Sequence, residues 1–128
     1  MSWFSKRNSE EALKLRARNE YNRKNYSEAE KTLLKLNRVA KDQIWANDVL
    51  ARLYMNTGRH EEAIPLWHQI YQSSDNPHRE LQYLIDCYRI TKRFVEAISL
   101  IIESKLLYDN EESTWEKTQT LFENIEDV

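Results

Sequence analysis

The residues of this chain best suited to chemistry are three histidines, one cysteine and adjacent glutamates such as Glu61-Glu62 and Glu111-Glu112. Their spacing gathers none of them into a reactive set. His60, His68 and His78 lack the close pairing that brings metal ligands together. Cys87 is the single cysteine, so neither an internal disulfide nor a cysteine-based metal cluster is available. In register it matches Leu53 on an apolar helix face, which makes it a buried thiol rather than a nucleophile. The glutamate pairs open helices, where negative charge favours the dipole. A chain with one glycine has no Gly-rich phosphate loop. No two residues form a recognisable acid–base or nucleophile pair, so the expectation is a protein that is not an enzyme and carries no cofactor or metal.

The elements that would position any other site repeat at a fixed interval. Ala29, Ala63 and Ala97 are 34 residues apart. Glu28, Glu62 and Glu96 precede them. Tyr26, His60 and Phe94 place a ring three residues before each alanine, and Leu33, Trp67 and Ile101 a large apolar group four residues after. A period in this range marks a chain built by stacking one small unit on the next. One Gly, two Pro and 31% charged residues read as nearly all helix.

Asn8, with Glu11 three residues on, predicts a first helix from Asn8 to about Lys24. Ser27 is expected to cap a second helix carrying Ala29, Leu33, Leu36 and Ala40. A third, from about Asp42, ends at Thr57-Gly58, where glycine suits the left-handed stop. The fourth holds Ala63, Leu66, Trp67 and Ile70, with Pro65 early in it. Ser73 to Pro77 is the clearest break, followed by a fifth helix on Leu81, Leu84, Ile85 and Tyr88 and a sixth on Ala97, Leu100 and Ile101. A seventh, from Glu112 to Ile125, acidic outside and aromatic inside, fits the terminal element that closes a solenoid. The expected organisation is an extension at 1–8, repeats at 9–41, 42–76 and 77–109, and a capping helix at 110–128.

Leu50, Ala51, Tyr54, Gly58, Ala63, Trp67 and Ile70, closing at Pro77, form a pattern that resembles the tetratricopeptide repeat. The flanking copies match in part. Repeat three keeps Leu84, Tyr88, Phe94, Ala97 and Ile101, with Lys92 in place of the glycine; repeat one keeps Ala17, Tyr26, Ala29, Leu33 and Leu36, with Lys24 there. The resemblance covers about residues 9–108 and implies an all-α, right-handed superhelical solenoid of three antiparallel helix pairs plus the seventh, capping helix. It also implies a concave groove, lined by the first helix of each unit, that grips a peptide or a helix. Carried over, the groove positions include Lys14, Arg18 and Tyr21 in unit one, Trp45, Asp48, Arg52 and Met55 in unit two, and Arg79, Tyr83 and Arg89 in unit three. The wider set, with Glu11, Leu15, Asn22, Val49, Asn56, Gln82, Asp86 and Ile90, holds five cations, three anions and several rings. Aromatic and Arg side chains are the usual anchors of protein interfaces. The clamp by which some relatives hold chaperone C-termini is not expected. Lys14 and Arg79 suit it in charge, but Arg18, Val49 and Tyr83 depart from it.

The functional expectation is an adaptor or chaperone-like protein that binds a partner segment mixing acidic and apolar residues. Two alternatives differ in class. Helical repeats with basic grooves and rings bind single-stranded RNA, against which stands the net charge of −2. Residues 1–41 carry a local +6 and residues 109–128 a local −6, which allows head-to-tail or dimeric self-association as a structural subunit. In size and architecture, three repeats capped by a helix also resemble bacterial secretion chaperones. The N-terminal residues lack the apolar run of a signal peptide and no stretch is long enough to span a membrane, so a cytoplasmic protein with no membrane contact is expected.

Overall fold

A computed structural model describes residues 3–41, 43–75, 77–108 and 123, with side chains described at 9–41, 43–75, 77–104 and 123. Six helices follow one another: α1 (Trp3–Asn22), α2 (Tyr26–Val39), α3 (Ile44–Asn56), α4 (His60–Ser73), α5 (His78–Ile90) and α6 (Phe94–Tyr108). No strand occurs among the described residues. Substantial packing joins only consecutive helices. Each hairpin therefore rests on its neighbours alone, which defines a helical-repeat solenoid. The all-α solenoid read from the sequence is the architecture observed. Of the seventh helix expected at 112–125 only residue 123 is described, and it is helical; the rest lies outside the described residues.

The 34-residue period has a physical basis in the core. Ala29, Ala63 and Ala97 are fully buried, as are Ala17 and Ala51 on the partner helices. These small side chains let paired helices approach, and Leu33, Trp67 and Ile101 fill the space four residues on. The hairpin turns repeat just as strictly. Lys24, Gly58 and Lys92 take φ of 60°, 78° and 61°. The amide that follows each donates back across the turn: Asn25 to the Glu20 carbonyl at 2.9 Å, Arg59 to Tyr54 at 2.7 Å and Arg93 to Tyr88 at 2.7 Å. The left-handed residues themselves donate to the Tyr21, Met55 and Arg89 carbonyls. All three turns are thus Schellman stops.

A side-chain clasp overlies the second and third turns. Arg59 lies 4.4 Å from the Tyr54 ring and pairs with Glu62 of its own helix pair and Glu30 of α2. Arg93, 34 residues later, lies 5.1 Å from the Tyr88 ring and pairs with Glu96 and with Glu61 of α4. Each arginine ties a hairpin to the unit before it. The first turn has Asn25 at that position, and among the described residues no unit lies before it.

Several helix ends differ from expectation. α1 begins at Trp3, so residues 3–8 are helical and continuous with it rather than a separate extension, and Asn8 lies inside the helix instead of capping it. Lys6, Arg7, Glu10 and Glu11 are good helix formers, and they outweigh the small penalty of Asn8 and Ser9. Ser27 sits within the first turn of α2, whose cap is Asn25 without a side-chain hydrogen bond. α3 starts at Ile44, two residues later than Asp42, and Pro77 closes the break as the residue before α5.

The outer flank of α1 departs from the pattern. Ala46, Leu50 and Leu53 are buried in α3, while the residues 34 positions earlier, Ala12, Arg16 and Asn19, are exposed on α1. α3 has α2 before it to pack against. Among the described residues no helix lies before α1, and two of the three positions are polar there.

Candidate functional site

The first helices of the three pairs bring one row of side chains onto a shared face. Steps of three and four residues along α1 turn Lys14, Arg18 and Tyr21 toward α3. Lys14 Nζ lies 5.8 Å and Arg18 Cζ 5.7 Å from the centre of the Trp45 ring, a double cation–π contact. Tyr21 accepts a 2.8 Å hydrogen bond from Asn56 Nδ2 at the far end of α3 and meets Tyr26 edge-on at 5.5 Å. Burial, with Tyr26 beside it, pushes the Tyr21 hydroxyl above its ordinary pKa.

Asp48 closes the next junction. Its Oδ1 accepts from Arg52 Nε at 2.8 Å and its Oδ2 from Arg79 Nη2 at 2.6 Å. Arg79 also donates to Glu80 Oε1 at 3.2 Å. Burial works against the Arg79 charge, but Asp48 and Glu80 outweigh it and hold that guanidinium above its usual pKa. Met55, farther along α3, and Tyr83 of α5 lie half-buried over Trp67 of α4. The Trp67 Nε1–H points to Met55 Sδ at 3.2 Å, and its ring stacks on Tyr83 at 4.6 Å with a 28° tilt.

Eight of the ten groove residues read from the sequence are thereby joined to another of the ten or to Trp67 beneath them. Tyr21 reaches Asn56 and Tyr26 instead. Arg89 pairs with Asp86 on its own helix, at 3.8 Å. Leu15, from the wider set, turns away, 58% exposed beside Arg16 and Asn19. Trp67 forms the floor of the apolar end, a part not assigned to it from the sequence. The signal was its place in the period: the ring that fills the gap toward the next unit also underlies whatever that unit presents. Cys87 is fully buried, and desolvation, with Asp86 and Glu61 adding to it, pushes the thiol up to about 12. It is protonated at neutral pH and poor as a nucleophile. Among the described residues no three His, Cys, Asp or Glu side chains are placed to hold a metal, and no helix is long and apolar enough to cross a membrane.

Fold and face together define a helical-repeat solenoid with a row of cations, rings and one shared carboxylate across its first helices. No family model matches the chain, and no curated protein matches it. Among solved structures it is similar to PcrH from Pseudomonas aeruginosa, with a TM-score of 0.65 at 15% identity over 99% of this chain and 93% of that one. It is similar also to PcrH in complex with the chaperone binding region of PopB, with a TM-score of 0.66 at 15% identity over 94% of each chain. At this identity the likeness is one of fold.

Proposed function

We propose that this chain is a non-enzymatic, chaperone-like adaptor that holds a segment of another protein against the concave face of α1, α3 and α5. The segment mixes acidic and apolar side chains. The observation that carries this reading is the chemistry of the row itself: cations over Trp45 at one end, and Met55 and Tyr83 half-buried over Trp67 at the other. Rings and arginines held by packing lose little freedom on binding, which favours them as anchors. PcrH, a chain of the same fold, holds the chaperone binding region of PopB, which supports a partner segment as the ligand class.

Affinity capture from the native cell tests the reading. The wild-type chain and a Trp45→Ala/Arg52→Glu/Tyr83→Ala variant are compared, with circular dichroism confirming that both fold. Loss of two or three anchors is expected to cut recovery of the specific partner by about a hundredfold, at about 1–2 kcal/mol per anchor. Equal recovery of the same proteins by both chains rules this face out.

A further inference from the structure

The register that builds the stack also sets its two inner junctions side by side. Lys14 and Trp45 are 31 positions apart, and so are Asp48 and Arg79. Lys14 in the first junction therefore holds the place of Asp48 in the second, Arg18 that of Arg52, and Trp45 that of Arg79. In the second junction one carboxylate satisfies two guanidinium groups, at 2.8 and 2.6 Å. In the first, two cations one helical turn apart share a ring face, at 5.8 and 5.7 Å. Among the described residues no carboxylate pairs with either. Glu10 and Glu11, a turn earlier on α1, form no ion pair with them. Like charges four residues apart on a helix repel, and the ring offsets only part of that.

We infer that an Asp or Glu side chain of the bound segment takes, in the first junction, the place that Asp48 takes in the second, docking on Lys14 and Arg18 above Trp45. The inference rests on the concave face being the binding face, and it names a residue the segment carries there. An acid in this position accepts charge-assisted hydrogen bonds from both cations and relieves their repulsion. The apolar companion belongs at the other end. Met55 lies ten residues along α3 from Trp45, about 15 Å at the helical rise. An extended chain covers that span in about five residues, which sets a minimum separation between the acidic and apolar anchors.

Synthetic twelve-residue peptides test this. Each carries one Glu and one Leu in a Ser/Asn/Ala host, in both orders and at every spacing, and binding to the full chain is read by fluorescence anisotropy. In the tightest peptide, Glu→Gln is expected to weaken binding about tenfold. Lys14→Asp places a carboxylate of the chain's own beside Arg18, and the Glu→Gln penalty should then fall below about twofold, with the Gln peptide bound as before. An unchanged penalty in both Lys14→Asp and Lys14→Gln/Arg18→Gln overturns the inference. If the Trp45→Ala/Arg52→Glu/Tyr83→Ala variant still loses every peptide in that case, the groove stands and the acid position alone falls. If no peptide binds, or the triple variant binds as the wild type does, both readings fall. A labelled mixed-sequence RNA twelve-mer, bound more tightly than any peptide and lost with Lys14 and Arg18, overturns the inference in favour of a phosphate.

Discussion

Lys24 and Lys92 adopt the same left-handed backbone as Gly58, although each carries a Cβ that disfavours it. A methyl group added at Gly58 would meet no atom within 4 Å, so the expected penalty there is conformational and not a clash. Lys92→Gly is accordingly expected to raise the unfolding free energy by about 1 kcal/mol and Gly58→Ala to lower it by about 1 kcal/mol. Urea denaturation measures both, and a Lys92→Gly chain no more stable than the wild type refutes the account. From the sequence the two lysines read as departures from the repeat, yet the backbone does not depart at all. The turn is fixed by amides reaching back to carbonyls, and residue type biases that geometry only weakly. Asn47 shows the opposite case. It stands in the register place of Leu13 and Leu81 and is 3% exposed, and its Oδ1 has no hydrogen-bond partner among the described residues. Its Nδ2 donates to Gln69 at 3.5 Å. Its own side chain gives no sign of burial; only the register with Leu13 and Leu81 marks the position as a buried one.

Between helices, the alanines set the spacing. Ala63 sits fully buried between α3 and α4, so Ala63→Leu must push the pair apart or force strained side chains, costing about 1–3 kcal/mol. Its melting temperature should fall further than that of any single substitution on the exposed side of a first helix, for example Gln82→Leu. Similar melting points in the two variants contradict the packing. The course of the helices was legible because apolar residues at three- and four-residue steps leave little choice of buried face. Their ends were less so. Asn8 and Ser27 have the chemistry of caps, but α1 runs through the first and α2 starts before the second. The clasp of Arg59 and Arg93 over Tyr54 and Tyr88 joins residues from neighbouring units. A reading that takes one helix at a time does not find it.

Over the whole stack, stability should depend on acidity through a histidine between units. His68 of α4 is hydrogen-bonded to the Tyr88 hydroxyl of α5. Burial lowers its pKa, Arg93 adds to that, and Glu103 opposes it. The folded chain thus prefers the neutral ring, while the unfolded chain takes up the proton at about pH 6.5. Stability should be complete above that pH and decline as pH drops toward the depressed folded value. Urea titrations at successive pH values measure the slope, and His68→Gln should flatten it. An equal slope in the variant assigns the acid sensitivity elsewhere. Much of the candidate face was legible, because a period transfers positions from one helix to the next. What the period hides is pairing across a junction: the same offset joins Lys14 to Trp45 and Asp48 to Arg79, and only the coordinates reveal that one is an ion pair and the other a shared ring. The outer stripe of α1 has a consequence of its own. Anything packed against it would have to take the ion pair of exposed Arg16 with Glu20, 3.7 Å long, out of water. It would gain little apolar area from Ala12 and Asn19 in return. This flank therefore resists the stacking that every other junction of the array relies on.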